Sequence, residues 1–235
     1  MGDALPPKFP RTPHLLWLGA TEPRSDKVLS ATARDKFLSE RIIVEEKVDG
    51  ANVGVWLDED DGLVVRNRGT ILSAQAHPQF YPLWSWLAQH RPELVQHLGT
   101  RYVLYGEWCY AKHSVAYSAL PDWFLVIDVY DRQQEVFLST AQRDALAQQC
   151  NLHVVARIGT GRYTEPELLA ELEQPSSYGA TREGLYLRRE QGTTLVERAK
   201  LVRAEFLDNI AEHWSRGPLV ANGLKNSGSE TEVTC

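Results

Sequence analysis

Lys47, Asp49 and Asn52 stand at the end of a run that reads IIVEEKVDGANVGVW from Ile42 to Trp56. The run is apolar and rich in branched residues, as a β-strand would be. An amine and a carboxylate two residues apart in such surroundings cost desolvation energy unless they are paired or used. The pattern recurs downstream. Glu107 ends the strand-like LYGEW, Phe124 opens FLVIDVYD, Glu183 opens EGLYLR and Lys200 sits in ERAKLVR. Amines, carboxylates and an aromatic ring buried among apolar residues are the groups of proton transfer, nucleophilic attack and cation binding. Any one of them taken alone reads as ordinary: K-x-D-G is also what a strand ending in a turn looks like.

The elements that must position these residues can be read from the period of the apolar pattern. Residues 1–40 are rich in Pro and charge and read as an irregular lead-in packed on the domain, with a short helix near Ala31–Leu38. Arg41–Val48 reads as a strand. Ala51–Leu57 and Leu63–Asn67 alternate around DEDDG and read as a hairpin. Residues 77–98 have helical spacing with Pro82 and Pro92 inside it, which predicts two helices or one kinked helix. Tyr102–Trp108 and Trp123–Tyr130 read as strands, Ser139–Cys150 as a helix capped by Ser139, and His153–Arg157 as a strand. A short helix follows at Glu165–Glu173, then a hairpin of Gly184–Arg188 and Thr194–Ala199, then a helix over Ala204–Ser215. The composition after Asn222 reads as a flexible tail over 221–235. Strands in hairpins predict an α+β fold with antiparallel sheets flanked by helices.

The chain has 235 residues and a net charge of −6. An acidic body gives no general support to nucleic-acid binding, so a polyanion site must be a local basic groove. Arg66 with Arg68, Lys112 with His113, Arg188 with Arg189, and Arg198, Lys200 and Arg203 could line one, although each pair also reads as a solvated face. No apolar run is long enough to span a bilayer, and the first residues lack a secretory apolar region. Cys109, Cys150 and Cys235 are scattered and odd in number, which predicts a reducing, cytoplasmic compartment without disulfides or a zinc site.

Taken in order, these residues resemble the motifs of the covalent nucleotidyltransferase superfamily, which includes ATP-dependent ligases and mRNA capping enzymes. Lys47-Val48-Asp49-Gly50 is similar to motif I, Glu107 to motif III, Phe124 to Asp128 to motif IIIa, Glu183-Gly184 to motif IV and Lys200 to motif V. The resemblance runs from 41 to about 203. KFPRTPHL near the start, GEWCYAKHSVAY around Glu107, and AKLVRAEF with His213-Trp214 resemble RNA ligases more closely than other members. About 32 residues follow Arg203, too few for the OB-fold domain that DNA ligases and capping enzymes carry there. The expected architecture is a nucleotidyltransferase domain over 41–220 with no OB-fold domain.

The resemblance implies an ATP-dependent RNA ligase that joins 5′-phosphate and 3′-hydroxyl RNA ends through AMP on Lys47, in RNA repair. A DNA ligase core, a GTP-dependent capping-type guanylyltransferase and a non-enzymatic nucleic-acid-binding relative are the alternatives. It further implies Mg2+ or Mn2+ held by Glu183 and Glu107, and RNA as partner, with an RNA end-healing kinase or phosphatase as a possible second chain. Lys47, Lys200 and Glu183 are the expected catalytic residues. Glu46 (through its backbone), Asp49, Asn52, Arg66, Glu107, Phe124 and Arg203 are the expected nucleotide contacts. Lys112 and His113 are the expected RNA contacts. Three assignments stay open at this level: Phe124 as an adenine stack or plain core, Arg66 as a ribose or phosphate contact or a cross-strand ion pair, and Arg203 or Arg198 as the second basic group. A lysine of ordinary pKa is neutral in only roughly one molecule in two thousand at pH 7, so nearby cations must offset the acidic neighbours before Lys47 can attack.

Overall fold

The computed structural model describes residues 5–23, 27–73, 75–208 and 218–225. Helix α1 (Ala31–Ser39) starts where the Ser30 hydroxyl accepts the Ala33 N–H, which satisfies one of the orphan donors of a helix start. Strand β1 (Ile42–Lys47) follows, then the hairpin of β2 (Ala51–Leu57) and β3 (Leu63–Asn67). A 3₁₀ turn at Pro78–Phe80 enters α2 (Tyr81–Leu98), which runs through Pro92 as one helix. Pro82 falls in its first turn, where no N–H is needed. Buried Trp86, Leu87, Leu94 and Leu98 on either side of Pro92 hold the helix to the core despite the lost backbone bond.

A long loop joins β4 (Tyr102–Trp108) to β5 (Phe124–Asp131); β6 (Val136–Phe137) and α3 (Thr140–Gln149) come next. Ser139 is the N-cap residue of α3 but its hydroxyl does not cap; Glu190 accepts the Thr140 N–H instead, at 2.7 Å. The strand expected over His153–Arg157 is split. β7 (His153–Val154) pairs in parallel with β5, and β8 (Arg157–Gly161) crosses to β1. Helix α4 (Glu165–Leu172), the hairpin of β9 (Gly184–Gln191) and β10 (Thr194–Val202), and α5 (Ala204–Asp208) complete the order. The rest of the last expected helix, with His213 and Trp214, lies outside the described residues.

The strands form two sheets, one ordered β10-β9-β1-β8 and one ordered β3-β2-β4-β5-β6 with β7 beside β5. Every neighbouring pair except β5–β7 is antiparallel. Alternation along the strands divides the side chains. In the first sheet, Ile42, Val44, Leu185, Leu187, Ala199 and Leu201 face α1 and α4. In the second, Val53, Val55, Leu104 and Val126 face α2 and α3. The inner faces meet over Val48, Trp56, Val103, Leu125, Ile127 and Tyr186. Helices thus cover both outer faces, as the α+β reading expects, and no OB-fold is present among the described residues. None of the described helices is long and apolar enough to cross a membrane.

Charge is also buried between the sheets. The Arg143 guanidinium bonds both Glu45 oxygens at 2.5 and 2.9 Å, and Arg188 pairs with Asp128 at 2.5 Å and with Glu190 at 3.3 Å. Arg188 is therefore a core residue and not part of a basic surface. Both ends of the described chain are docked. Pro13–Leu15 runs along β10, with the Leu15 N–H on the Lys200 carbonyl and the Lys200 N–H on the Pro13 carbonyl. Residues 220–225 bond to the β4–β5 loop, so the described start of the expected flexible tail is part of the fold.

Candidate active site

Lys47 ends β1 in the first sheet, and the turn Val48-Asp49-Gly50 carries the chain into β2 of the second. Lys47, Asp49 and Asn52 therefore span the junction of the two sheets. Gly50 is required there, because a Cβ would sit 2.7 Å from the Trp108 carbonyl oxygen. Asn52 on β2 pairs with Glu107 on β4. Lys47 faces Gly184, the residue after Glu183, and Lys200 faces Tyr186 on the same inner face. A side chain at Gly184 would strike the Leu201 carbonyl and press on Lys47. Between the sheets lies a cavity of about 760 Å³ lined by Lys47, Asp49, Asn52, Glu107, Lys200 and the backbone around Glu46, among others.

Lys47 Nζ donates to both Glu183 oxygens, at 2.6 and 2.7 Å. Burial alone would lower its pKa, but Glu183, Asp49 and Glu107 outweigh burial and raise it. Burial together with Asp49 raises Glu183 in turn, against the opposing pull of Lys47. Burial pushes Glu107 up to about 8, only partly offset by Lys47. Burial and the neighbouring Lys47 charge push Lys200 down to about 8. The site is thus a compact set of two amines and three carboxylates, in which burial and neighbouring charges displace Lys47, Lys200, Glu107 and Glu183 from their ordinary proton affinities, an arrangement typical of functional sites. Glu107 Oε2 is buried without a hydrogen-bond partner, so it has an acceptor position open to a cation or a proton.

The model of the RNA ligase family matches residues 40–202, more than half of the chain. The chain belongs to the RNA ligase family. Solved structures agree in fold. An RNA ligase mutant from Naegleria gruberi without ligand aligns with a TM-score of 0.59 at 20% identity, over 76% of this chain and 54% of that one. A mutant of the same ligase with ATP and Mn gives 0.57 at 21% identity over 74% and 52%. The ligase with PPi gives 0.58 at 19% identity over 91% and 62%. At these identities the likeness is one of fold, and the chain spans little more than half the length of those ligases. A comparison with curated proteins yields no match.

Within this RNA ligase fold, Lys47, Asp49, Asn52, Glu107, Glu183 and Lys200 come together. The Glu46 side chain points away from the cavity, where its carboxylate accepts Ser176 Oγ and the Ser177 N–H, while its backbone lines the cavity. His113 lines the cavity 2.9 Å from Gln79 Oε1; Lys112 lies exposed on the same loop.

Three expected contacts are corrected. Phe124 is fully buried against Trp86 with ring centres 5.1 Å apart, on the face away from the cavity. The expected face of 124, 126 and 128 is broken by a bulge, since Tyr105 pairs with Asp128 but Gly106 with Val126. The extra residue, Ile127, faces inward and lines the cavity, and Asp128 faces inward to Tyr186 and Arg188. Arg66 is buried and donates to the Pro6 and Pro7 carbonyls; Arg68, past the strand end, lines the cavity instead. Arg203 turns to the Leu172 carbonyl and to Glu173 at 2.9 Å. Its rival Arg198 is no better placed, lying between Asp128 at 3.2 Å and the Phe9 and Phe137 rings.

The cavity also holds residues that sequence reasoning missed, Phe9, Thr12, His77, Gln79, Ile127, Val155 and Tyr186, and Arg68, which the sequence offered only as one of several basic pairs. His14, 5% exposed beside Lys200 with an unpartnered Nδ1, is held near neutral down to about pH 3 by burial and by the Lys200 and Lys47 charges.

Proposed function

We propose that this protein is an ATP-dependent RNA ligase, which joins a 5′-phosphate to a 3′-hydroxyl by way of AMP carried on Lys47. The observation that supports this reading is the Lys47 ammonium held by Glu183 beside Lys200 in the cavity between the sheets. The proton on Lys47 has to leave before attack. Glu183 already accepts from Nζ, and its raised proton affinity suits it to take that proton. The neutral amine then forms a bond to the α-phosphorus of ATP, and pyrophosphate departs with the electrons of the broken P–O bond. Lys200 supplies positive charge where the phosphorus gathers negative charge. Fixing the amine at the end of a strand limits its motion to the line of attack.

No three His, Cys, Asp or Glu side chains among the described residues form a ready-made metal site. Magnesium needs none, since it keeps water and takes one or two carboxylates with phosphate oxygens. Glu107, with its open oxygen, and Glu183 would hold such an ion, which would screen the phosphate charge and favour the neutral amine. Ile127, Val155 and Tyr186 give the base an apolar wall. His113 and Lys112 are the proposed contacts to RNA, and the domain of 41–220 the catalytic unit. A role in cytoplasmic RNA repair, after a kinase or phosphatase has prepared the ends, completes the reading.

Intact mass after incubation with ATP and magnesium tests it. The expected result is a gain of one adenylyl group, mapped to Lys47, and none from GTP. Labelling by GTP instead of ATP favours a capping-type enzyme, and the absence of any Lys47 adduct overturns the proposal.

A further inference from the structure

The loop between β4 and β5 runs from Cys109 to Trp123, and its first part has no strand beside it. Asn222 takes the place of one. It is 7% exposed. Its Nδ2 donates to the Cys109 carbonyl at 2.7 Å and the Ala111 carbonyl at 3.2 Å, its Oδ1 accepts the Tyr117 N–H at 2.9 Å, and its own N–H reaches the Tyr110 carbonyl at 2.8 Å. Neighbouring backbone bonds continue the join: Lys112 N–H to Val220, Gly223 N–H to Tyr117, and Leu120 N–H to Gly223.

The far side of this loop holds Asp49. Ser114 and Val115 donate their N–H groups to Asp49 Oδ2 at 2.6 and 3.1 Å, and Tyr117 Oη accepts the Asp49 N–H at 2.8 Å. Asp49 is two residues from Lys47. One side chain near the described C-terminal end is therefore linked through a single loop to the turn that carries the amine. Removing it would orphan two carbonyls and an N–H inside the protein, each costly to leave unmade.

We propose that Asn222 is a positioning residue for the Lys47 site: it fixes the 109–117 loop, which in turn fixes the Asp49 backbone and carboxylate. The proposal rests on the reading that Lys47 accepts AMP, and it gives residues 220–225 a part in that step. The full-length chain is compared with Asn222→Ala, Tyr117→Phe and the double variant. Single-turnover labelling of Lys47 is followed at saturating and limiting ATP, well below each melting temperature. Asn222→Ala is expected to slow labelling about tenfold at saturating ATP, a loss that a smaller folded fraction would not produce. The double variant is expected to be no slower than the worse single one, because both break the same chain of contacts. Full-rate labelling by folded Asn222→Ala, or multiplicative losses in the double variant, overturns the proposal. Amide hydrogen exchange separates it from the underlying reading. Faster exchange of the Asp49 and 114–117 amides in Asn222→Ala supports the positioning role even if the unsubstituted protein takes no label, and unchanged exchange there refutes it.

Discussion

At the scale of single residues, the amine of Lys47 rests as an ion pair, the wrong protonation state for the proposed attack on ATP. The carboxylates around it raise its pKa, so below that value its neutral fraction grows about tenfold for each unit that the pH rises. Adenylylation measured in single turnovers should therefore accelerate from pH 6 to pH 9. Glu183→Gln should move that profile to lower pH while cutting the maximal rate, because it removes both the raising charge and the nearest proton acceptor. Glu107 makes the opposite kind of prediction, for stability. Its folded pKa, about 8, lies above the unfolded value of about 4.3. The native state thus holds its proton more tightly, and the stabilisation is complete below the unfolded pKa and lost as pH rises through 8. In metal-free buffer, Glu107→Gln should melt higher than the parent at pH 8.5 and close to it at pH 5. Arg66 in β3 and Arg68 just beyond it should part company as well. Arg66→Ala leaves two carbonyls without their donor and should lower stability by about 1–3 kcal/mol. Arg68→Ala should keep the melting temperature and lose ligation.

At the scale of elements, what the sequence revealed and what it hid have separate physical causes. Strand identity followed from alternation, so β1, β2, β3, β4, β9 and β10 were legible, and with them Lys47, Glu107, Glu183 and Lys200 at strand ends. Alternation fails where a register slips. The bulge at Ile127 is one inserted residue, invisible in a run that is mostly apolar, and it puts Phe124 and Asp128 on opposite faces. Arg66 and Arg68 share a strand-like face by count, yet β3 stops at Asn67, whose side chain bonds the Gly69 and Thr70 N–H groups and bends the chain toward the cavity. Arg188 carries no local sign of burial, because its buried partners Asp128 and Glu45 come from distant parts of the chain. Breaking such a buried set by removing one member costs about 3–5 kcal/mol. Urea unfolding of Arg188→Ala should show a loss of that size.

At the scale of the whole molecule, the residues that do chemistry are shared between two sheets, while the chain's described ends supply the supports. The start of the chain contributes Phe9 and Thr12 to the cavity wall and is tied to β10 at Lys200. The sequence suggested only that this lead-in packs on the domain; which of its residues reach the cavity was not legible, since a proline-rich stretch has no period to read. Phe9→Ala should raise the ATP concentration needed for half-maximal labelling while leaving the saturated rate near that of the parent. Arg11 lies exposed between those two wall residues. A protease that cuts after arginine meets its target on the rim of the cavity itself, so digestion becomes a gauge of occupancy. Cleavage at Arg11 should slow when nucleotide fills the space, and a chain nicked there should lose its grip on ATP while its sheets stay folded.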